Sequence, residues 1–186
     1  MIKLLYCVAL FVGTTVFCQD SDNFFYASFQ KVEGMDFRTI QMTPSTNKCY
    51  SDHNNDADDV FRSPMNLMIT SMQYGTSLFS TDCVTNCPQG NKYNYDKSLF
   101  AQYINKDYSD QTFLYMDKEF VSVTLEGNLV RDFLHIDSFN GYNATATHMV
   151  FNSVTSSSEI IPDHVDGFLG FGPQGSFDGV QVGTLD

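Results

Sequence analysis

A mostly β fold is predicted, on three observations. The chain is rich in Phe (17) and Tyr (10) and carries many Val, Ile and Thr, the residues that suit pleated, half-buried strands. Helical periodicity over long stretches is scarce. Clusters of Gly, Asn, Asp and Ser interrupt the chain at short intervals, as turns between strands do.

In chain order, Phe24 to Gln30 and Phe37 to Met42 read as two strands joined by a turn at Glu33-Gly34. Asp52 to Asp59 is a polar loop. It fails as a calcium loop, because Ala57 replaces the glycine at its sixth position and Ser63 the glutamate at its twelfth. Met65 to Met72 follows Ser63-Pro64 and spaces Met65, Met68, Ile69 and Met72 along one face, which predicts a helix packed on the core. Phe113 to Met116, Phe120 to Leu125 and Phe133 to Ile136 read as further strands, with Glu126-Gly127-Asn128 as a hairpin tip. His148 to Val154 is another strand.

The amino terminus reads differently. Met1-Ile2-Lys3 precedes an apolar run from Leu4 to Phe17, and Val16 and Cys18 suit the positions before a cleavage point at Gln19. Residues 1–18 are therefore expected to be a secretory signal peptide, too short for the roughly 20 apolar residues of a membrane span. Residues 19–186 then form one domain, exported to the extracellular space or to an acidic endolysosomal compartment, with no membrane anchor after cleavage. The 22 acidic side chains outnumber the 10 basic ones, for a formal net charge of −12, which repels phosphate backbones and excludes nucleic acid as a partner.

Cys7 and Cys18 leave with the signal, so Cys49, Cys83 and Cys87 remain as disulfide candidates. Three thiols give one bridge and one leftover, and sequence alone leaves the pairing open. The expected bridge runs from Cys49 to Cys83 or Cys87. The C-x-x-x-C at Cys83 and Cys87 lacks neighbouring histidines, so no metal and no cofactor is expected. Asn143-Ala144-Thr145 is an N-glycosylation sequon.

Two stretches carry a family resemblance. Val165-Asp166-Gly167-Phe168-Leu169-Gly170-Phe171-Gly172 resembles the D-G-[IF]-L-G stretch of pepsin-like aspartic peptidases, and Asn91-Lys92-Tyr93-Asn94-Tyr95-Asp96-Lys97-Ser98 is similar to their N-K-F-x-x-x-K-S segment. The order of features also matches: strand pair, cysteine loop, this segment, a hairpin, then D-G-F-L-G. The resemblance implies a single amino-terminal lobe of that β-barrel fold. It also implies that the D-G-F-L-G strand threads beside the catalytic loop, where Gly is required because backbones approach closely.

The same resemblance removes the chemistry. Phe37 to Asn47 falls on the family's F-x-V-V-x-D-T-G-S-S-N, so that Thr43, Ser45 and Asn47 match while Met42 takes the aspartate's position and Pro44 the glycine's. Leu125 falls at the flap tyrosine, and Tyr74-Gly75-Thr76-Ser77 mimics the flap motif out of order. These enzymes activate water between two carboxylates sharing a proton, and a thioether does neither job. Asp36 and Asp132 are the nearest carboxylates, neither in a D-T-G context. No G-x-S-x-G is present, and His53, His135, His148 and His164 have no evident catalytic partner in sequence. The expectation is a secreted, non-catalytic peptidase-like protein, a binding or remnant module with an unknown peptide or protein partner; the alternative is a truncated or atypical aspartic endopeptidase.

Overall fold

A computed structural model describes residues 15–20, 23–31, 37–44, 64–73, 75–98, 100–116, 119–136, 144–172, 175–177 and 180–182. Its strands are β1 (Thr15–Asp20), β2 (Asn23–Lys31), β3 (Arg38–Pro44), β4 (Met65–Thr70), β5 (Thr76–Phe79), β6 (Gln102–Met116), β7 (Glu119–Ile136), β8 (Ala144–Ser157), β9 (Gly167–Gly170), β10 (Gly175–Phe177) and β11 (Val180–Val182). The protein is mostly β, as its composition predicts. A short 3-10 turn at Tyr95–Lys97 interrupts the strands, with the Asn94 side chain accepting from the Asp96 N–H.

Nine of the strands form one mixed sheet in the order β1-β2-β3-β4-β9-β5-β8-β7-β6. A further pairing of β3 with β7 closes the run from β3 to β7 into a ring. The predicted pair of strands is present: β2 and β3 are antiparallel, with Phe29 opposite Ile40. β1 spans the expected cleavage point before Gln19 and pairs antiparallel with β2.

Two apolar clusters lie on opposite faces of the central strands. One gathers Ile40, Met42, Met65, Leu67, Leu78, Tyr93, Val130, Leu134, Phe151 and Leu169. The other gathers Met68, Phe79, Leu114, Val123, Leu125, Val154, Ile161, Val165 and Phe168 with Cys83. Successive residues on one strand therefore enter different clusters: Leu67 and Met68 on β4, Leu78 and Phe79 on β5, Phe168 and Leu169 on β9.

That arrangement corrects the helix expected over Met65 to Met72. The segment is strand β4, paired antiparallel with β3 and parallel with β9. A strand buried on both faces has a continuous apolar run, which periodicity alone does not separate from a buried helix. Met72, placed on the helix's buried face by that expectation, is 54% exposed.

The hairpin tip expected at Glu126-Gly127-Asn128 is also corrected. β7 runs unbroken from Glu119 to Ile136, and its antiparallel pairing with β6 extends to Met116 opposite Glu119. Gly127 instead stands at a register shift between β7 and β8, where the extra residue, Thr155, belongs to β8 and β7 continues through.

The disulfide joins Cys83 to Cys87, correcting the expected bridge from Cys49 to either of them. The local turn explains the pairing. The Cys83 N–H donates to the Ser80 carbonyl and Val84 and Thr85 are tied to β8, which holds the two cysteine Cα atoms 6.0 Å apart. Cys49 lies outside the described residues, as do Ser45, Asn47, Asp36, Asn143, Glu33-Gly34 and the Asp52 to Asp59 loop.

Candidate functional site

The chemistry-bearing groups collect where β9 is threaded between β4 and β5. β9 runs parallel to β4 and antiparallel to β5. The segment joining those two strands, residues 71–75, crosses the end of β9. There Gly170 N–H donates to Gly75 O (3.1 Å), Phe171 N–H to Thr70 O (2.8 Å) and Gly172 N–H to Gln73 O (2.8 Å). A Cβ on Gly167 would strike the Ser77 carbonyl oxygen, and one on Gly170 the carbonyl oxygens of Gly75 and Gln73. Close backbone approach is thus the physical reason for glycine at both positions.

Asp166, just before β9, is 2% exposed and its carboxylate accepts from Asn66 N–H at 2.8 Å. Burial raises its pKa above the ordinary carboxylate range, opposed by backbone N–H groups of Asn66 and Asn91 and by nearby His164. A Cβ on Gly90 would strike this carboxylate, so the Gly90 turn closes over it. Its bonds tie β4, β9 and the segment at Asn91 together, which is an architectural role.

The crossing segment carries Gln73, 1% exposed. Its side-chain amide donates to Ser77 Oγ on β5 and to Asp110 Oδ2 on β6, the latter at 3.1 Å. Asp110 is 6% exposed and also accepts from the Gln111 N–H at 2.8 Å. Burial raises its pKa despite both of those bonds. Asn152 on β8 stands opposite Ser77 and donates to the Leu125 carbonyl at 3.1 Å. Gln73, Ser77, Asp110, Thr112 and Asn152 are all buried polar residues. Gln73 Oε1, Thr112 Oγ1 and Asn152 Oδ1 have no hydrogen-bond partner among the described residues.

A second polar group lies at the other side of the ring. Asp132 on β7 is 1% exposed and accepts from Tyr93 OH (2.8 Å), from its neighbour Phe133 N–H (2.8 Å) and from Ser98. Burial raises its pKa against these bonds and against nearby His135. Burial, and then the Asp132 charge, push the Tyr93 phenol up. Tyr93 also packs edge-on against Phe151, ring centroids 5.0 Å apart. The N-K-Y segment is thereby pinned to the core by its tyrosine, and Asn91 adds a bond to the Pro64 carbonyl.

The residues singled out from the sequence scatter. Asp166, Gly167 and Gly170 converge on the β4–β9–β5 crossing. Met42 is 2% exposed, a core side chain opposite Met65 and Ile136. Thr43 and Pro44 pair with His135 and Leu134 of β7, away from β9. Leu125 is fully buried in mid-strand, opposite Asp110. Sequence reasoning missed Gln73, Asp110 and Asn152. The only local signal was Tyr74-Gly75-Thr76-Ser77, whose preceding residue is Gln73; Asp110 and Asn152 lie in ordinary strand sequence.

Chemically, each of the three buried carboxyls is bonded to amide, hydroxyl or phenol groups. The Gln73 amide gives Asp110 an N–H donor, where a pair of carboxyls would share a proton. Such an arrangement ties the strands that carry these groups to one another. A search of protein-family models finds none that matches this chain, and a search of curated proteins finds no match.

Proposed function

We propose that the chain is an exported, non-catalytic relative of the aspartic peptidases, a single lobe that acts by binding a peptide or protein and not by cleaving one. One observation carries this reading: the D-G-F-L-G strand lies beside Thr70, Gln73 and Gly75, where Gln73 is a buried side chain. The resemblance expects the catalytic loop at that place. Gln73-Tyr74-Gly75-Thr76-Ser77 then stands for the family's D-T-G-S-S, with the glycine kept and the aspartate replaced by its amide. This register differs from the one that puts Met42 at the aspartate's position, and both lead to the same loss of function. A carboxamide neither takes up a proton near neutral pH nor shares one with a second carboxylate.

An atypical peptidase is the second reading, favoured by Asp110, a buried carboxyl of raised pKa beside Gln73. One assay separates the two. The purified exported protein is incubated with a denatured protein substrate from pH 3 to 7, with and without a pepstatin-type inhibitor. No inhibitor-sensitive cleavage is expected. Cleavage that the inhibitor blocks and that vanishes in Asp110→Asn would establish the peptidase reading instead.

A further inference from the structure

Three buried polar atoms in the Gln73 cluster have no partner among the described residues, and their chemistry is complementary to one small ligand. Gln73 Oε1 and Asn152 Oδ1 are acceptors only; Thr112 Oγ1 belongs to a hydroxyl that donates and accepts. All three residues are at least 99% buried, so bulk solvent does not satisfy them.

The connections around them bring the three into one neighbourhood. Gln73 is bonded to both Ser77 and Asp110. Ser77 is the register partner of Asn152 across β5 and β8. The Asn152 amide reaches the carbonyl of Leu125, which is the register partner of Asp110 across β6 and β7. Thr112 lies two residues beyond Asp110, on the same face of β6. Asn152 Oδ1 itself occupies the space that a Cβ on Gly127 would need, beside the register shift between β7 and β8.

We propose that this cluster is a site for an internal water, which donates to Gln73 Oε1 and Asn152 Oδ1 and accepts from Thr112 Oγ1. A water has two protons to give and lone pairs to receive, and buried waters make about three hydrogen bonds to polar groups that lack other partners. An unpartnered amide oxygen in the interior is destabilising, so a cluster with three unmatched atoms is costly without such a ligand. Neither a carboxylate nor a second acceptor would serve, because two of the three atoms offer no proton. The site does not depend on the peptidase-like reading and would exist in a protein of any function.

The test uses the 15N-labelled exported protein in water. Side-chain amide protons of Gln73 and Asn152, assigned through Gln73→Met and Asn152→Leu variants, are examined for cross-relaxation with water. Cross-peaks with the sign of a long-lived bound water are expected, and Thr112→Val should weaken them. Absence of such peaks from a well-dispersed wild-type spectrum would overturn the proposal. Thermal unfolding gives a second readout with opposed outcomes. If the Thr112 hydroxyl is water-bonded, Thr112→Val lowers Tm by about 2–4 °C. If the hydroxyl is unpartnered, its removal raises Tm, and that rise would also defeat the proposal. Should the variant not fold, the wild-type cross-peaks decide alone.

Discussion

At Gln73, an amide stands in a buried position whose neighbours are a hydroxyl and a carboxyl. The side chain's shape would be nearly unchanged as Glu, but its donors would be lost and Asp110 would face a second acidic group. Met42 shows the opposite lesson: its thioether fills the core in the cluster with Met65 and Leu67. The glycines of D-G-F-L-G are held by close backbone contacts. Gly170→Ala would drive a methyl into the carbonyls of Gly75 and Gln73, which are backbone atoms with no rotamer to escape into. The expected cost is about 1–3 kcal/mol, the usual range for overpacking a tight core, read as a lower midpoint in urea unfolding. An unchanged midpoint would mean that β9 does not sit against the crossing segment.

Among the elements, β4 is the instructive one. Its apolar run was legible, and its secondary structure was not, since only the clusters on both of its faces determine that it is a strand. β7 is the converse case. Its Glu126-Gly127-Asn128 has turn composition, yet β6 and β8 pair on either side and carry the strand through, leaving a register shift where a tip was expected. The cysteine loop behaves as a local element as well. Bonding Cys83 to Cys87 closes a short loop, so the stabilisation from chain entropy is modest, about 2 kcal/mol. Peptide mapping without reduction should recover Cys83 and Cys87 joined to each other. Replacing both by Ser should lower stability by about that amount while the protein still folds. Recovery of a peptide linking Cys49 to either cysteine would contradict the pairing.

For the whole molecule, the three buried aspartates act in one direction. Asp110, Asp132 and Asp166 all have pKa values raised first by burial, so the folded protein holds protons on them that the unfolded chain releases. Each contributes stability that is fully present below the unfolded value of about 3.9 and is lost as pH rises through its higher folded value. A formal net charge of −12 at pH 7 adds self-repulsion in the same direction. The protein is therefore expected to be more stable at pH 4 than at pH 7, which urea unfolding at several pH values measures directly. Asp110→Asn, which removes one titrating group and keeps its shape, should flatten the dependence. A stability that climbs from pH 4 to pH 7 would contradict it.

The sequence by itself determined the β character of this protein, because strand-forming residues and frequent turn signals are local properties. It also determined the glycines of D-G-F-L-G and the apolar content of the segments that became β4 and β7. Tertiary structure alone decided that β4 is a strand, that β7 is unbroken, and that Cys83 takes Cys87. It alone brought Gln73, Asp110 and Asn152 together from three distant parts of the chain. The physical reason is the same throughout. Composition and periodicity report what a segment can bury, whereas pairing partners and the close approach of β9 to residues 70–75 depend on contacts between segments remote in sequence.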